Sequence, residues 1–215
     1  MNPIDTALQS VTPTVMVPRH EPFVPLQANG HRFLAASDGL WLEARRPWLY
    51  LCWPLVRQEK VAMPYGTLKQ TLSAVPVKSH LMDEFIIMAQ EVYPLECAAW
   101  VVWDEVTDDQ TLLPMVPTSA TVASVVFQRP RLQAGQHLLL DLHSHGQLGA
   151  FFSGQDNRDD RGEFKLAGVL GRVNTVIEAK FRLCANGLYV TLPDRIYGQR
   201  PQTLERTYER AFHPF

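Results

Sequence analysis

Cysteine is scarce in this chain and poorly placed for chemistry. Its three residues, Cys52, Cys97 and Cys184, are odd in number, far apart and never arranged as C-x-x-C, which excludes a disulfide framework and a thiolate zinc site. Any metal must then be held by histidine and carboxylate. Long apolar runs are missing as well, because the longest, Cys97 to Trp103, falls far short of the roughly 20 residues that cross a bilayer. The amino terminus carries Pro3 and Asp5 where a secretory signal has a basic and then a greasy segment. The expected compartment is the cytoplasm, with no membrane partner. A dominant charge is absent too: 20 Lys+Arg against 22 Asp+Glu give a formal net charge of -2, with no basic block to track a phosphate backbone. Nucleic acid is not an expected partner. What is there is an ordinary globular composition, 46% hydrophobic, 20% charged and 10% aromatic over 215 residues. That length allows one substantial domain with an appendage, or two small ones.

Proline is the one unusual count, 16 in all, with Pro3, Pro13, Pro18, Pro22 and Pro25 in the first 25 residues. Residues 1–30 therefore read as an extended or poorly ordered, Pro-rich arm, since each ring fixes φ and removes a donor. Order is expected from His31. Arg32 to Ala36, Leu40 to Ala44 and Trp48 to Trp53 read as short strands around a Ser37-Asp38-Gly39 turn, giving a β-rich unit over residues 31–77. Its Trp41, Trp48, Tyr50 and Trp53 are expected to pack its own small core. From Ser79, placed to cap it, a helix is predicted with Leu81, Met82, Phe85, Ile86 and Ala89 on one face, ending before Pro94. Buried strands then follow at Cys97 to Trp103, Leu112 to Val116, Val122 to Phe127, Gln136 to His143, Phe164 to Leu170, Val176 to Leu183 and Leu188 to Leu192, with a short helix from Ser153. Residues 78–193 form the main domain. The tail, 194–215, reads as a short amphipathic helix around Leu204 to Ala211.

The chemistry is concentrated in Asp141-Leu142-His143-Ser144-His145 and Ser153-Gly154-Gln155-Asp156. Residues two apart in a strand share a face, so His143 and His145 project together from the end of the run Leu138 to Leu142. That pair is half a zinc site. If the loop folds back, Asp156 completes three ligands and leaves a fourth position open, as in hydrolytic zinc sites, where the pKa of water falls from about 15.7 to about 7. Each part has a plainer reading. A histidine in this pair is structural or solvated as readily as it is a ligand, and Ser-x-x-Asp is also a helix cap, a role compatible with catalysis. From 7 His, 8 Ser and 11 Asp, the full spacing arises by chance on the order of once in two thousand such sequences, and that tips the reading to a metal site. A general base is still needed, and spacing alone does not choose among Glu84, Glu91, Glu96 and Glu163.

His143-Ser144-His145, Ser153 and Asp156 resemble the JAMM signature of the JAB/MPN metalloproteases. Ala89-Gln90-Glu91-Val92-Tyr93-Pro94-Leu95-Glu96-Cys97-Ala98-Ala99-Trp100 is similar to that family's junction of helix, Pro-x-Glu and strand. The resemblance spans roughly residues 78–192. It implies an α/β (α+β) fold, a cytidine-deaminase-like mixed curved sheet flanked by helices, here behind a β-rich amino-terminal appendage. It implies Zn2+ held by His143, His145 and Asp156, with Glu96 as the catalytic base and Ser153 as the donor to the tetrahedral oxyanion. Two positions depart from the pattern. Gly146 and Phe152 stand where the family commonly has proline, so the loop between them lacks two rigid constraints. Asp141 reads as an ordinary polar position, the alternative being a hydrogen bond to a ligand imidazole. Asp159 and Asp160, one turn past Asp156, read as solvated, the alternative being that one of them orients a nearby group.

What the resemblance implies is cleavage of a peptide or isopeptide bond at the carboxyl-terminal tail of a ubiquitin-like protein, the tail lying extended beside an edge strand. The whole arrangement, including Met63-Pro64-Tyr65-Gly66, is also similar to the JAB-type proteins of bacterial PRTRC cassettes, implying a ubiquitin-like partner and a ThiF-like adenylating enzyme. A catalytically idle scaffold for those partners is one rival. A hydrolase acting on a sulfur carrier or a small-molecule amide is another.

Overall fold

The structure, a computed structural model, describes residues 2–58, 63–120 and 125–193, and they divide into two compact units on either side of residue 75. Its first element corrects the reading of residues 1–30 as an extended arm. Helix α1 (Pro3–Val11) starts the chain, with the Asn2 side chain accepting from the Ile4 N–H. Pro3 sits in the first turn, where its missing N–H would have had no helical partner. Strand β1 (Thr14–Met16) follows and pairs in parallel with β2 (Gly30–Ala36), Thr14 opposite Phe33. Order thus begins well before His31. The prolines punctuate short elements rather than stretch the segment. Strands β3 (Gly39–Arg46), β4 (Leu49–Arg57) and β5 (Thr71–Ala74) complete a sheet in the order β1-β2-β3-β4-β5.

Trp41 and Trp48 are buried in this unit, while Tyr50 and Trp53 are partly exposed. One cluster gathers Val17, Leu34, Ala36, Trp41 and Cys52. Glu43 lies beside them with no exposure, and its carboxylate accepts from Arg32 Nε at 2.6 Å, the Leu26 N–H at 2.8 Å and the Tyr50 hydroxyl at 2.9 Å. A charge buried this fully is tolerable only when paired and hydrogen-bonded.

The second unit opens with α2 (Ser79–Glu91), which buries Leu81, Met82, Phe85 and Ala89 as its periodicity predicts. Ser79 does not cap it. The cap position is Lys78, without a side-chain bond, and the approach is fixed instead by Gln110, which accepts from the Lys78 N–H at 3.0 Å and donates to the Pro76 carbonyl at 2.8 Å. Then come β6 (Ala98–Asp104), β7 (Asp109–Pro114), β8 (Val116–Ala120), β9 (Val125–Gln128), β10 (Gln136–Ser144), α3 (Gly154–Asp159), β11 (Phe164–Gly171), β12 (Glu178–Ala185) and β13 (Leu188–Leu192). Six of these strands form a mixed sheet in the order β13-β12-β11-β10-β6-β7. Only β10 and β11 run parallel, and α3 lies in the connection between them. Strands β6 and β11 are buried along nearly their whole length, the mark of a sheet covered on both faces.

This is the mixed α/β sheet expected, behind a β-rich amino-terminal region. Strand ends differ by a few residues: β12 starts at Glu178 rather than Val176, which is exposed, and the return strand β7 starts at Asp109. The helix expected around Leu204 lies outside the described residues. Among the described residues no helix is long and apolar enough to cross a membrane.

Candidate metal centre

Strand β10 delivers the histidines. A register irregularity between Leu138 and Leu140 lets both Leu139 and Leu140 bury, and beyond it Leu140 and Leu142 face the core while Asp141, His143 and His145 alternate with them. Its end is stitched on both sides. The Ser144 N–H donates to the Cys97 carbonyl at 2.9 Å, Ser144 Oγ accepts from the Cys97 N–H at 3.0 Å, and the His145 N–H donates to the Leu170 carbonyl at 2.8 Å. His143 Nε2 and His145 Nε2 come within 3.2 Å.

Helix α3 delivers the carboxylate through its own cap. Ser153 Oγ accepts from the Asp156 N–H at 3.2 Å, and Asp156 Oδ2 accepts from the Ser153 N–H at 2.6 Å, a complete capping box. This occupies one carboxylate oxygen and aims the other, Oδ1, at His143 Nε2, 3.6 Å away. One ligand atom from each of His143, His145 and Asp156 lies within 4.8 Å of the other two. Ligands bonded at about 2.0–2.2 Å to a tetrahedral zinc stand roughly 3.3–3.6 Å apart. The His-His and His-Asp separations match that edge, and the set is the one that leaves a position open. Enclosure of the His143 ring disfavours its cation and holds its pKa below the ordinary value despite the nearby Asp156 carboxylate. A neutral imidazole is the ligating form.

Glu96 precedes the stitched Cys97 and is partly exposed. Its carboxyl titrates above the usual range, chiefly because burial disfavours the anion; the charge of His145 opposes the shift and that of Asp156 reinforces it. The structure thus brings Glu96 into the electrostatic field of two of the three candidate ligands. A carboxylate whose anion is disfavoured in this way holds a proton more readily than a solvated one, which suits it to taking a proton and returning it.

Behind the ligands lies a buried ionic network that the sequence reading did not identify. Lys165 Nζ is 2.6 Å from Asp141 Oδ2 and 2.8 Å from Asp160 Oδ1, and Arg182 Nη2 is 2.5 Å from Asp160 Oδ2. Arg182 also donates to Asn157 Oδ1 and lies over the rings of Phe152 and Tyr189, 3.9 and 4.3 Å from their centroids. Asp160 is therefore buried, not solvated, and its job is to tie α3 to the sheet. Burial alone would raise its pKa, but Lys165 and Arg182 outweigh that and hold it below the carboxylate range. Asp141 is paired with Lys165 rather than with an imidazole. A lone lysine in the otherwise apolar run Phe164 to Leu170 was the available signal for this network.

The two departures from the family pattern also find their reasons. Gly146 has φ +52, and a Cβ there would stand 2.4 Å from the Pro94 carbonyl oxygen; proline cannot adopt that φ. Phe152 anchors its end of the loop by stacking on Arg182. Further bonds tie the segment down, Arg172 N–H to the Leu148 carbonyl at 2.9 Å and Val173 N–H to the Gly146 carbonyl at 3.3 Å.

Residues 78–184 match the family described as prokaryotic homologs of the JAB domain. Residues 2–74 match the domain of unknown function DUF2016. No curated protein matches the chain.

Proposed function

We propose, taking as premise that residues 78–184 are a JAB-like domain, that this chain is a zinc-dependent JAMM-type metallopeptidase. Its substrate would be the carboxyl-terminal tail of a ubiquitin-like protein, as a precursor or as a conjugate. The observation that carries the reading is the convergence of His143, His145 and Asp156 on one point, with Glu96 electrostatically coupled to two of them. A zinc ion held by these three residues would supply Lewis-acid chemistry, polarising a carbonyl and making water acidic near neutral pH. Glu96 takes the proton from the attacking water and passes it to the departing amine. Ser153 Oγ already accepts from the Asp156 N–H, so its own hydrogen is free to donate to the oxygen on which negative charge develops. Loss of such a donor typically costs about a hundredfold or more in rate.

The similarity to PRTRC-cassette proteins suggests a ubiquitin-like substrate and a ThiF-like adenylating partner. The scaffold reading draws on one observation: the Ser153-Asp156 capping box is complete in itself, so those two residues have a structural use without any metal. The two readings separate in one experiment. Zinc-loaded chain and its Glu96→Gln variant are incubated with a ubiquitin-like protein carrying a carboxyl-terminal extension, and cleavage is followed by mass. The enzyme reading expects about one zinc per chain in both proteins and cleavage by the wild type alone. Less than about a tenth of a zinc per wild-type chain would favour the scaffold, and cleavage by Glu96→Gln at the wild-type rate would remove Glu96 from the mechanism.

A further inference from the structure

The Gly149 carbonyl and the Ala150 N–H are the two ends of one peptide group, and each end is engaged. The carbonyl is 3.1 Å from His145 Nδ1, and the N–H donates to Glu178 Oε2 at 3.2 Å. A carbonyl oxygen only accepts, so this hydrogen bond requires the proton on His145 Nδ1 and leaves the Nε2 lone pair free. That Nε2 is the atom 3.2 Å from His143 Nε2. We propose that Glu178 is a positioning residue for the metal centre, acting through the Gly149-Ala150 peptide to hold His145 in the tautomer whose Nε2 can bind the metal.

Metal-bound histidines usually donate their other N–H to a carboxylate or a carbonyl, and losing that partner costs roughly 10- to 100-fold in metal affinity. Here the two acceptors stand in series. An N–H that donates to a carboxylate makes a charge-assisted bond, and the polarised peptide becomes a better acceptor at its carbonyl end.

The surrounding backbone is built for this approach. Glu178 is the first residue of β12 and pairs with Gly171, the last of β11. A Cβ on Gly171 would meet Gly149 C and Ala150 N at 2.3 Å, and one on Gly149 would meet Glu178 Oε2 at 2.8 Å. Gly171 must be bare, because backbone atoms stand at that distance, while a side chain at Gly149 would push the Glu178 carboxylate off the peptide. Arg172 Nη1 takes the other oxygen, Oε1, at 3.3 Å and leaves Oε2 to the peptide.

The role of Glu178 rests on the metal-centre reading, so the test measures tautomer and metal separately in the full chain. Long-range 1H–15N spectra of histidine-labelled, metal-free protein report the tautomer, and competition with a chromogenic chelator reports zinc affinity. The wild type is expected to show the Nδ1–H form of His145. Glu178→Ala, a change at a half-exposed side chain, is expected to populate the Nε2–H form and to lose about tenfold in zinc affinity. Glu178→Gln keeps an acceptor without the charge, and should retain the Nδ1–H form and lose only about threefold. The relay is overturned if Glu178→Ala keeps both the Nδ1–H form and wild-type affinity. An affinity loss without a tautomer change, or a Gln variant as weak as Ala, overturns it equally. Zinc binding absent from the wild type would instead sink the metal-centre reading, and with it any role of Glu178 toward a metal.

Discussion

Ser144 and Cys97 are joined by reciprocal hydrogen bonds, the Ser144 N–H to the Cys97 carbonyl at 2.9 Å and the Cys97 N–H to Ser144 Oγ at 3.0 Å. Ser144 sits between the two candidate ligand histidines, and Cys97 directly follows Glu96. This pair therefore ties the segment that carries Glu96, the proposed base, to the strand end that carries the two candidate ligands. Ser144→Ala would leave the buried Cys97 N–H without its side-chain acceptor, at a cost of about 1–3 kcal/mol. The expected outcome is a lower urea midpoint with unchanged slope, wild-type zinc stoichiometry, and a fall in kcat larger than any rise in KM. Unchanged kcat in a destabilised variant would show that the pair serves stability alone.

Removing Asp160 should cost far more than removing a surface carboxylate. Asp160→Asn leaves Arg182 without its anion and Lys165 with Asp141 alone, and breaking a buried pair costs about 3–5 kcal/mol. The pH dependence has a definite sign. Because the folded-state pKa of Asp160 is depressed, its contribution is complete above the unfolded carboxylate value of about 3.9 and is lost as pH falls below that toward the folded value. Urea titrations of wild type and variant at pH 7 and pH 3 should show the stability gap narrowing at the lower pH. A gap that stays constant would mean the residue acts through packing.

Much of this arrangement is legible in the sequence, for identifiable reasons. The periodicity of Leu81, Met82, Phe85 and Ala89 marks α2, and the spacing of His143, His145, Ser153 and Asp156 marks the residues that the fold brings together, because strand alternation and helix capping are local rules. Ser144, Lys165 and Glu178 are not legible in the same way. Their roles depend on partners at Cys97, Asp141 and Ala150, and only the sheet order brings those together. The prolines of residues 1–30 do not announce a helix because proline's effect depends on position: a proline in the first turn, as Pro3 is, favours a helix that it would break from the middle.

The thiols offer a test of burial independent of any metal. Burial, with the Glu43 carboxylate adding to it, pushes the Cys52 thiol up to about 12. Burial and then Asp160 do the same to Cys184. Cys97 is raised as well, chiefly by burial. Reactivity follows the thiolate, so the native chain at pH 8 should show no fast-reacting thiol toward an aromatic disulfide reagent and three in denaturant. One fast thiol in the native state would show that its unit opens readily around that residue.

Gly146 carries the last prediction, because it stands where the family commonly has proline. At φ +52 a side chain is strained by its own backbone, at a cost on the order of 1–3 kcal/mol, before the contact with the Pro94 oxygen is counted. Ala can reach that φ at this cost; proline cannot reach it at all. Gly146→Ala should therefore fold with a lower melting temperature and weaker zinc binding, since the strain falls on the residue next to His145. Gly146→Pro should be worse on both measures, because its ring cannot follow the backbone there at all. The two variants compared by thermal melting and chelator competition decide the point: a Gly146→Pro chain as stable as the wild type would mean that residues 146–148 can follow a second path, one that moves the peptide away from Pro94.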